Sequence, residues 1–115
     1  LYIVNTSAGM VLANKVKVAD KWLTRLIGLL NRKNFFAGEA LLIKPCKGVH
    51  TCFMRFSIDV LFLDMNNAII GIYKNLPPFR CTKVFSRAFQ VIELPAGTVE
   101  KTGTKLGDNI TIESH

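Results

Sequence analysis

The chain has 115 residues, half of them hydrophobic, with 15 Lys and Arg against 8 Asp and Glu and a formal net charge of +7. That length fits a single domain over residues 1–115, and the apolar content is enough to bury a core without metal or disulfide. No run reaches the roughly 18 uncharged apolar residues of a membrane-spanning helix, and Leu1-Tyr2-Ile3-Val4-Asn5 lacks the basic start of a secretion signal.

In chain order, Leu1 to Val4 reads as a short strand and Met10 to Val18 as a second, with Val16 and Val18 alternating against Lys15 and Lys17. Asp20 has the character of an N-cap, and Lys21 to Leu30 that of a helix whose apolar stripe is Trp22, Leu23, Leu26, Ile27 and Leu30. Gly28 costs that helix about 1 kcal/mol relative to Ala, which a close approach by another element would explain. Arg32 and Lys33 suit the dipole at its C-terminal end. Ala40 to Ile43 is a short apolar strand broken by Pro45, and Cys46 to Thr51 an irregular connection.

Ile58 to Leu63 is the clearest strand, followed by a hairpin turn at Met65-Asn66-Asn67, where Asn tolerates positive φ. Ala68 to Tyr73 returns, and Leu76-Pro77-Pro78-Phe79-Arg80 opens a loop that runs to about Ser86. Phe89 to Leu94 is another strand, and Pro95-Ala96-Gly97 turns out of it. Thr98 to Thr102 fits one helical turn closed by Gly103, and Gly107-Asp108 leads into a last strand, Asn109 to Glu113. Six or seven short strands separated by turn signals predict a mainly β fold, a β-sandwich or distorted barrel. The one main α-helix, near residues 20–31, is expected to pack over an open end or one face.

With these segments in place, the chain resembles an uncharacterised conserved family of bacteria and archaea, domain of unknown function 192. The resemblance starts at Val16-Lys17-Val18-Ala19-Asp20 and Thr24-Arg25-Leu26-Ile27-Gly28-Leu29-Leu30, and continues in Gly38-Glu39-Ala40-Leu41-Leu42-Ile43. Its most specific part is His50-Thr51-Cys52-Phe53-Met54 followed by Ile58-Asp59-Val60-Leu61-Phe62-Leu63-Asp64. Val91-Ile92-Glu93-Leu94-Pro95-Ala96-Gly97 and Gly107-Asp108 complete the ordered set. Many members carry Trp-Met-x-Asn-Thr where this chain has Phe53-Met54-Arg55-Phe56-Ser57, so no role for that Asn-Thr pair transfers. The resemblance implies a compact, mostly β fold and no reaction.

Three groups of residues are candidates for chemistry. Asp59 and Glu93 lie in strands apolar on both faces, and a buried charge costs free energy unless paired. The favoured reading is an ion pair or network with Arg25, whose guanidinium forks onto a carboxylate, tying helix to sheet. The competing reading is a carboxylate pair flanking a cleft for acid–base work. Cys46, His50 and Cys52 have the side chains of a zinc site, but their Cys-x3-His-x-Cys spacing matches no common knuckle and lacks a fourth ligand. The same residues could form a Cys-His nucleophile pair beside Lys47 and Arg55. The bland reading makes the cysteines, Cys81 included, reduced apolar side chains; an odd count at irregular spacing argues against a disulfide framework. Third, the loop from Pro77 to Arg87 interleaves aromatic and basic residues, as surfaces that hold single-stranded nucleic acid or anionic ligands do. Its plain reading folds the aromatics onto the core and turns the cations to water.

The favoured function is a binding module, holding a small ligand or protein near the His50–Asp59 segment and the Pro77–Arg87 loop. Arg25, His50, Arg55, Phe79, Arg80 and Lys83 are the expected binding residues. The enzyme alternative is a hydrolase-like site of Asp59, Glu93 and His50, with Arg25 or Arg55 steadying negative charge. A third class is a binder of nucleic acid or an anionic surface through the basic face, although no nucleic-acid motif accompanies the charge. The expectation is a cytoplasmic monomer with no cofactor, no resident metal and no transmembrane segment. The opening Leu leaves room for a removed N-terminal segment.

Overall fold

The computed structural model describes residues 1–19, 34–52 and 54–114. In chain order these hold β1 (Tyr2–Asn5), β2 (Met10–Ala13), β3 (Lys15–Ala19), β4 (Glu39–Ile43), β5 (Ile58–Leu63), β6 (Ile69–Leu76), β7 (Gln90–Pro95), the short helix α1 (Thr98–Thr102) and β8 (Ile110–Glu113). The mainly β expectation is met, with eight strands among the described residues rather than six or seven. They form a three-stranded antiparallel sheet in the order β2-β1-β8 and a five-stranded sheet in the order β3-β4-β7-β5-β6. Within the larger sheet only β3 and β4 run parallel. The helix expected near residues 20–31, with Arg25 and Gly28, lies outside the described residues. Among the described residues, no helix is long and apolar enough to cross a membrane.

The extra strand comes from the run Met10–Val18, which the alternation treats as continuous. It divides at Asn14. The N–H groups of Asn14 and Lys15 both donate to the Gly38 carbonyl, each at 2.9 Å, and this turns the chain from one sheet into the other. Residues before the turn pair with β1, and residues after it pair with β4. Nothing in an alternating pattern marks a change of partner, so the break was invisible to it.

Strands β5 and β7 lie side by side, buried along their whole length. Their side chains alternate between two cores. Leu61, Leu63, Ile92 and Leu94 face Ile3, Leu12, Ile110 and Val99, between the two sheets. Val60, Phe62 and Val91 face the other way, against Val49, Met54, Ala88 and the half-buried Phe56 and Phe85 of the long connections. A strand buried on both faces reads as a continuous apolar run, which is why Ile58–Leu63 stands out in the sequence.

Polar clamps hold the edges. Buried Asn5 donates from Nδ2 to Thr104 Oγ1 (3.1 Å) and Asp108 Oδ2 (2.9 Å), and its Oδ1 accepts the Ala8 N–H (3.0 Å). At the β5–β6 turn, Asp64 Oδ1 accepts the N–H groups of Asn66 (2.9 Å) and Ala68 (3.0 Å), and Asn67 takes a φ of 61°, as the turn residues predict.

Candidate functional site

The connections expected to hold the site, 44–57 and 77–89, are zipped together over the outer core. Thr51 donates its N–H to the Arg80 carbonyl (2.8 Å) and accepts the Phe79 N–H (3.1 Å). The Thr82 N–H donates to the Val49 carbonyl (2.9 Å), and the Phe85 N–H to the Lys47 carbonyl (2.8 Å). Between them His50 and Cys81 form an antiparallel bridge. The peg is Thr51, fully buried: its hydroxyl donates to the Pro77 carbonyl (2.6 Å) and accepts the Arg80 N–H (2.9 Å). Thr82 does the same from the other side, its Oγ1 accepting the Val49 N–H at 3.1 Å.

The base of this face is aromatic. Phe85 packs on Phe62 with ring centroids 4.3 Å apart, and Tyr73 closes edge-on against both. Phe85 lies so close over β6 that a Cβ at Gly71 would sit 2.5 Å from its Cζ, so the position admits only glycine without movement. Lys83 holds its ammonium 4.8 Å from the Phe85 ring centroid and donates its backbone N–H to the Tyr73 hydroxyl (3.0 Å). Phe85 therefore folds back onto the core, whereas Phe79, at a φ of 62°, remains 64% exposed.

Charge on this part of the chain is mostly positive at the surface. From Ala40 to Ile92 the ionised side chains are Lys44, Lys47, Arg55, Lys74, Arg80, Lys83 and Arg87, all exposed, against only Asp59 and Asp64. Both acids are held by backbone amides. Asp64 closes its turn, and Asp59 is 1% exposed. Asp59 Oδ1 accepts the Asn75 N–H (2.9 Å), and Oδ2 accepts those of Gly97 (3.1 Å) and Val99 (2.8 Å). Helix α1 has no side-chain cap of its own, because Gly97 occupies its N-cap. A carboxylate from a strand 38 residues earlier in the chain supplies that cap.

Register separates the two buried carboxylates. Asp59 pairs with Leu94 and Val60 with Glu93, so Asp59 shares a face with Leu94 and Glu93 shares the opposite face with Val60. Asp59 and Glu93 thus do not flank one cleft, and the set Asp59, Glu93 and His50 is not assembled as a hydrolase-like unit. Cys46 donates its thiol to the Gly48 carbonyl (3.2 Å), and Cys81 is exposed. Among the described residues, no three His, Cys, Asp or Glu side chains are grouped to hold a metal, the set Cys46, His50 and Cys52 included. Of the expected binding residues, His50, Phe79, Arg80 and Lys83 meet on the zipped connections, exposed Arg55 lies on the same pair of loops, and Arg25 lies outside the described residues.

A model of the family described as Uncharacterized ACR, the domain of unknown function 192, matches residues 3–112. The chain belongs to this family. It is 34% identical over 111 residues to a UPF0127 protein of Pyrococcus horikoshii, covering 94% of this chain and 96% of that one. To a UPF0127 protein of Pyrococcus abyssi it is 32% identical over 114 residues, covering 94% of each. Among solved structures it is similar to a protein of unknown function from Novosphingobium aromaticivorans, with a TM-score of 0.84 at 18% identity over 97% of this chain and 84% of that one. A putative transcription regulator from Sinorhizobium meliloti gives a TM-score of 0.75 at 24% identity, over 96% of this chain and 89% of that one. At those identities the likeness concerns the fold.

In this member of the domain of unknown function 192, the residues that the sequence did not single out are Thr51, Thr82 and Gly71. Each acts through a partner more than ten residues away, and none sits in a periodic pattern. The available signal for Thr51 was its place between His50 and Cys52, in the segment most specific to the family.

Proposed function

We propose that this protein is a binding module that holds an anionic ligand or partner on the face built by connections 44–57 and 77–89. The observation that supports this most is the charge on those connections: six exposed cations, Lys44, Lys47, Arg55, Arg80, Lys83 and Arg87, and no acid. Arg55, Arg80, Lys83 and Arg87 supply attraction, the zipped backbone supplies a fixed frame, and exposed Phe79 offers an apolar contact beside them. No reaction is assigned to the site, since the carboxylates that would work as an acid–base pair face apart.

The test is a titration with a fluorescently labelled single-stranded oligonucleotide and with labelled polyglutamate across a range of salt concentrations. Binding is expected to weaken along a straight line in log–log form, with a slope that falls by about 2 when Arg80→Gln and Lys83→Gln are combined. An unchanged slope in the double variant would remove the face from the binding reaction. The two probes distinguish a nucleic-acid partner from an acidic protein segment.

A further inference from the structure

A cavity of about 450 Å³ shares no described lining residue with the loop face, although Phe35 in its wall packs on Phe56 of connection 44–57 with ring centroids 5.7 Å apart. Its walls come from β2 and Asn14, from Phe35, Ala37 and Gly38, from the turn between β7 and α1, and from α1 itself. That volume is in the range of small-molecule sites, roughly 300–1,000 Å³. The lining is mostly apolar: Val11, Leu12, Ala13, Phe35, Pro95 and Ala96.

The walls are set before any ligand arrives. Asn14 and Lys15 are fixed to Gly38 through two N–H bonds to its carbonyl, and Gly38, at a φ of 90°, lets the Asn14 carboxamide lie against its Cα. Glu39 accepts the Phe36 N–H at 2.8 Å. The far wall, Pro95 to Thr98, is held where Asp59 takes the N–H groups of Gly97 and Val99. Three segments that carry the family resemblance therefore converge here: Gly38–Ile43, Ile58–Asp64 through Asp59, and Val91–Gly97.

The polar groups define the chemistry. Thr98 donates its hydroxyl proton to the Pro95 carbonyl (2.8 Å), and Thr102 donates to the Thr98 carbonyl (2.7 Å). Neither proton is available to a ligand. Among the described residues, Lys101 is the one charged side chain in the lining, and Asn14 adds a carboxamide. A site with apolar walls and one cation suits a molecule with an apolar body and a single negative group. We propose that this cavity binds a small organic monoanion, a carboxylate on an aromatic or compact apolar body, with Lys101 as its counter-charge.

The experiment is a titration of the isotopically labelled protein with phenylacetate and, in parallel, with uncharged phenylacetamide, followed by backbone amide shifts. Phenylacetate is expected to give saturable shifts at Ala13, Gly38 and Thr98, and to bind about fivefold more tightly than the amide, the size of one exposed charge contact. Lys101→Gln should abolish that preference. Ala96→Phe, at an exposed lining position, should remove the shifts while the melting temperature is kept, and Ala37→Phe provides a second filled cavity should the first unfold. Equal binding of acid and amide, or shifts confined to Arg80, Lys83 and Arg87, would overturn the assignment. The latter pattern would still agree with the loop-face reading, so the two proposals fail separately.

Discussion

Replacing Asp59 by asparagine keeps the shape of the side chain and removes its charge. The carboxylate accepts three backbone N–H groups, two on Oδ2 from Gly97 and Val99 and one on Oδ1 from Asn75. Asparagine has a single acceptor oxygen. With that oxygen on the Gly97–Val99 side, the amide N–H groups meet the Asn75 N–H, donor against donor. Asn75 is exposed, so its N–H can turn to water at a loss of about 1 kcal/mol. The two bonds that remain change from charge-assisted to neutral and lose about 1 kcal/mol each. The sum is about 3 kcal/mol. Alanine removes every acceptor and strands the Val99 N–H, which is buried, raising the cost to about 5 kcal/mol. At roughly 4 °C per kcal/mol for a chain of this size, the melting temperature should fall by about 12 °C in Asp59→Asn and about 20 °C in Asp59→Ala. Thermal unfolding followed by circular dichroism reads both shifts, and amide exchange should show Val99 losing protection first. An asparagine variant within about 2 °C of wild type would show that the carboxylate does not hold α1.

Three further outcomes follow from single contacts. Gly71→Ala should destabilise by about 1–3 kcal/mol through its clash with Phe85, although alanine in an open strand position would normally stabilise; pairing it with Phe85→Leu should recover part of the loss in urea unfolding. Thr51→Val keeps the shape but leaves the Pro77 carbonyl and Arg80 N–H without their hydroxyl, so it should cost about 2–3 kcal/mol and speed amide exchange at residues 79–82; unchanged exchange there would deny Thr51 its role as a peg. The Asn5 amide and the Lys105 N–H hold the Asp108 carboxyl below its ordinary value of 3.8. Its contribution to stability is therefore complete above that pH and is lost as pH falls through the lower folded value, so Asp108→Asn should flatten the acid limb of the stability profile.

What the sequence showed was local. Apolar runs located β5 and β7, Asn67 and Gly103 located a turn and a helix end, and alternation placed Asp59 on the face of Leu61 and Leu63. Pairing was not local. Nothing in Met10–Val18 says that its halves serve different sheets, because the cause is the Gly38 carbonyl more than twenty residues away. Glu93 and Asp59 looked alike, each a carboxylate in an apolar strand; only the β5–β7 register turns them to opposite sides. The anchoring expected of Asp59 through Arg25 falls on a residue outside the described ones. Asp59 itself holds three backbone amides, which leave no mark on residue type.

The sign of the surface charge is not something the fold requires. The outer core closes through Val49, Met54, Phe85 and Ala88, and the loops are joined by backbone bonds and by Thr51 and Thr82. None of these contacts needs Lys44, Lys47, Arg80 or Arg87 to be cationic. Like charges on one face repel within a Debye length of about 8 Å at physiological salt, and so work against the compact state. Lys83 is the partial exception, since its ammonium rests over Phe85. Stability alone would be served by acids interspersed among these cations, yet both acids of the segment are turned to backbone amides. The anionic partner proposed above would relieve that repulsion on binding, while the frame, fixed independently of the charge, would stay as it is.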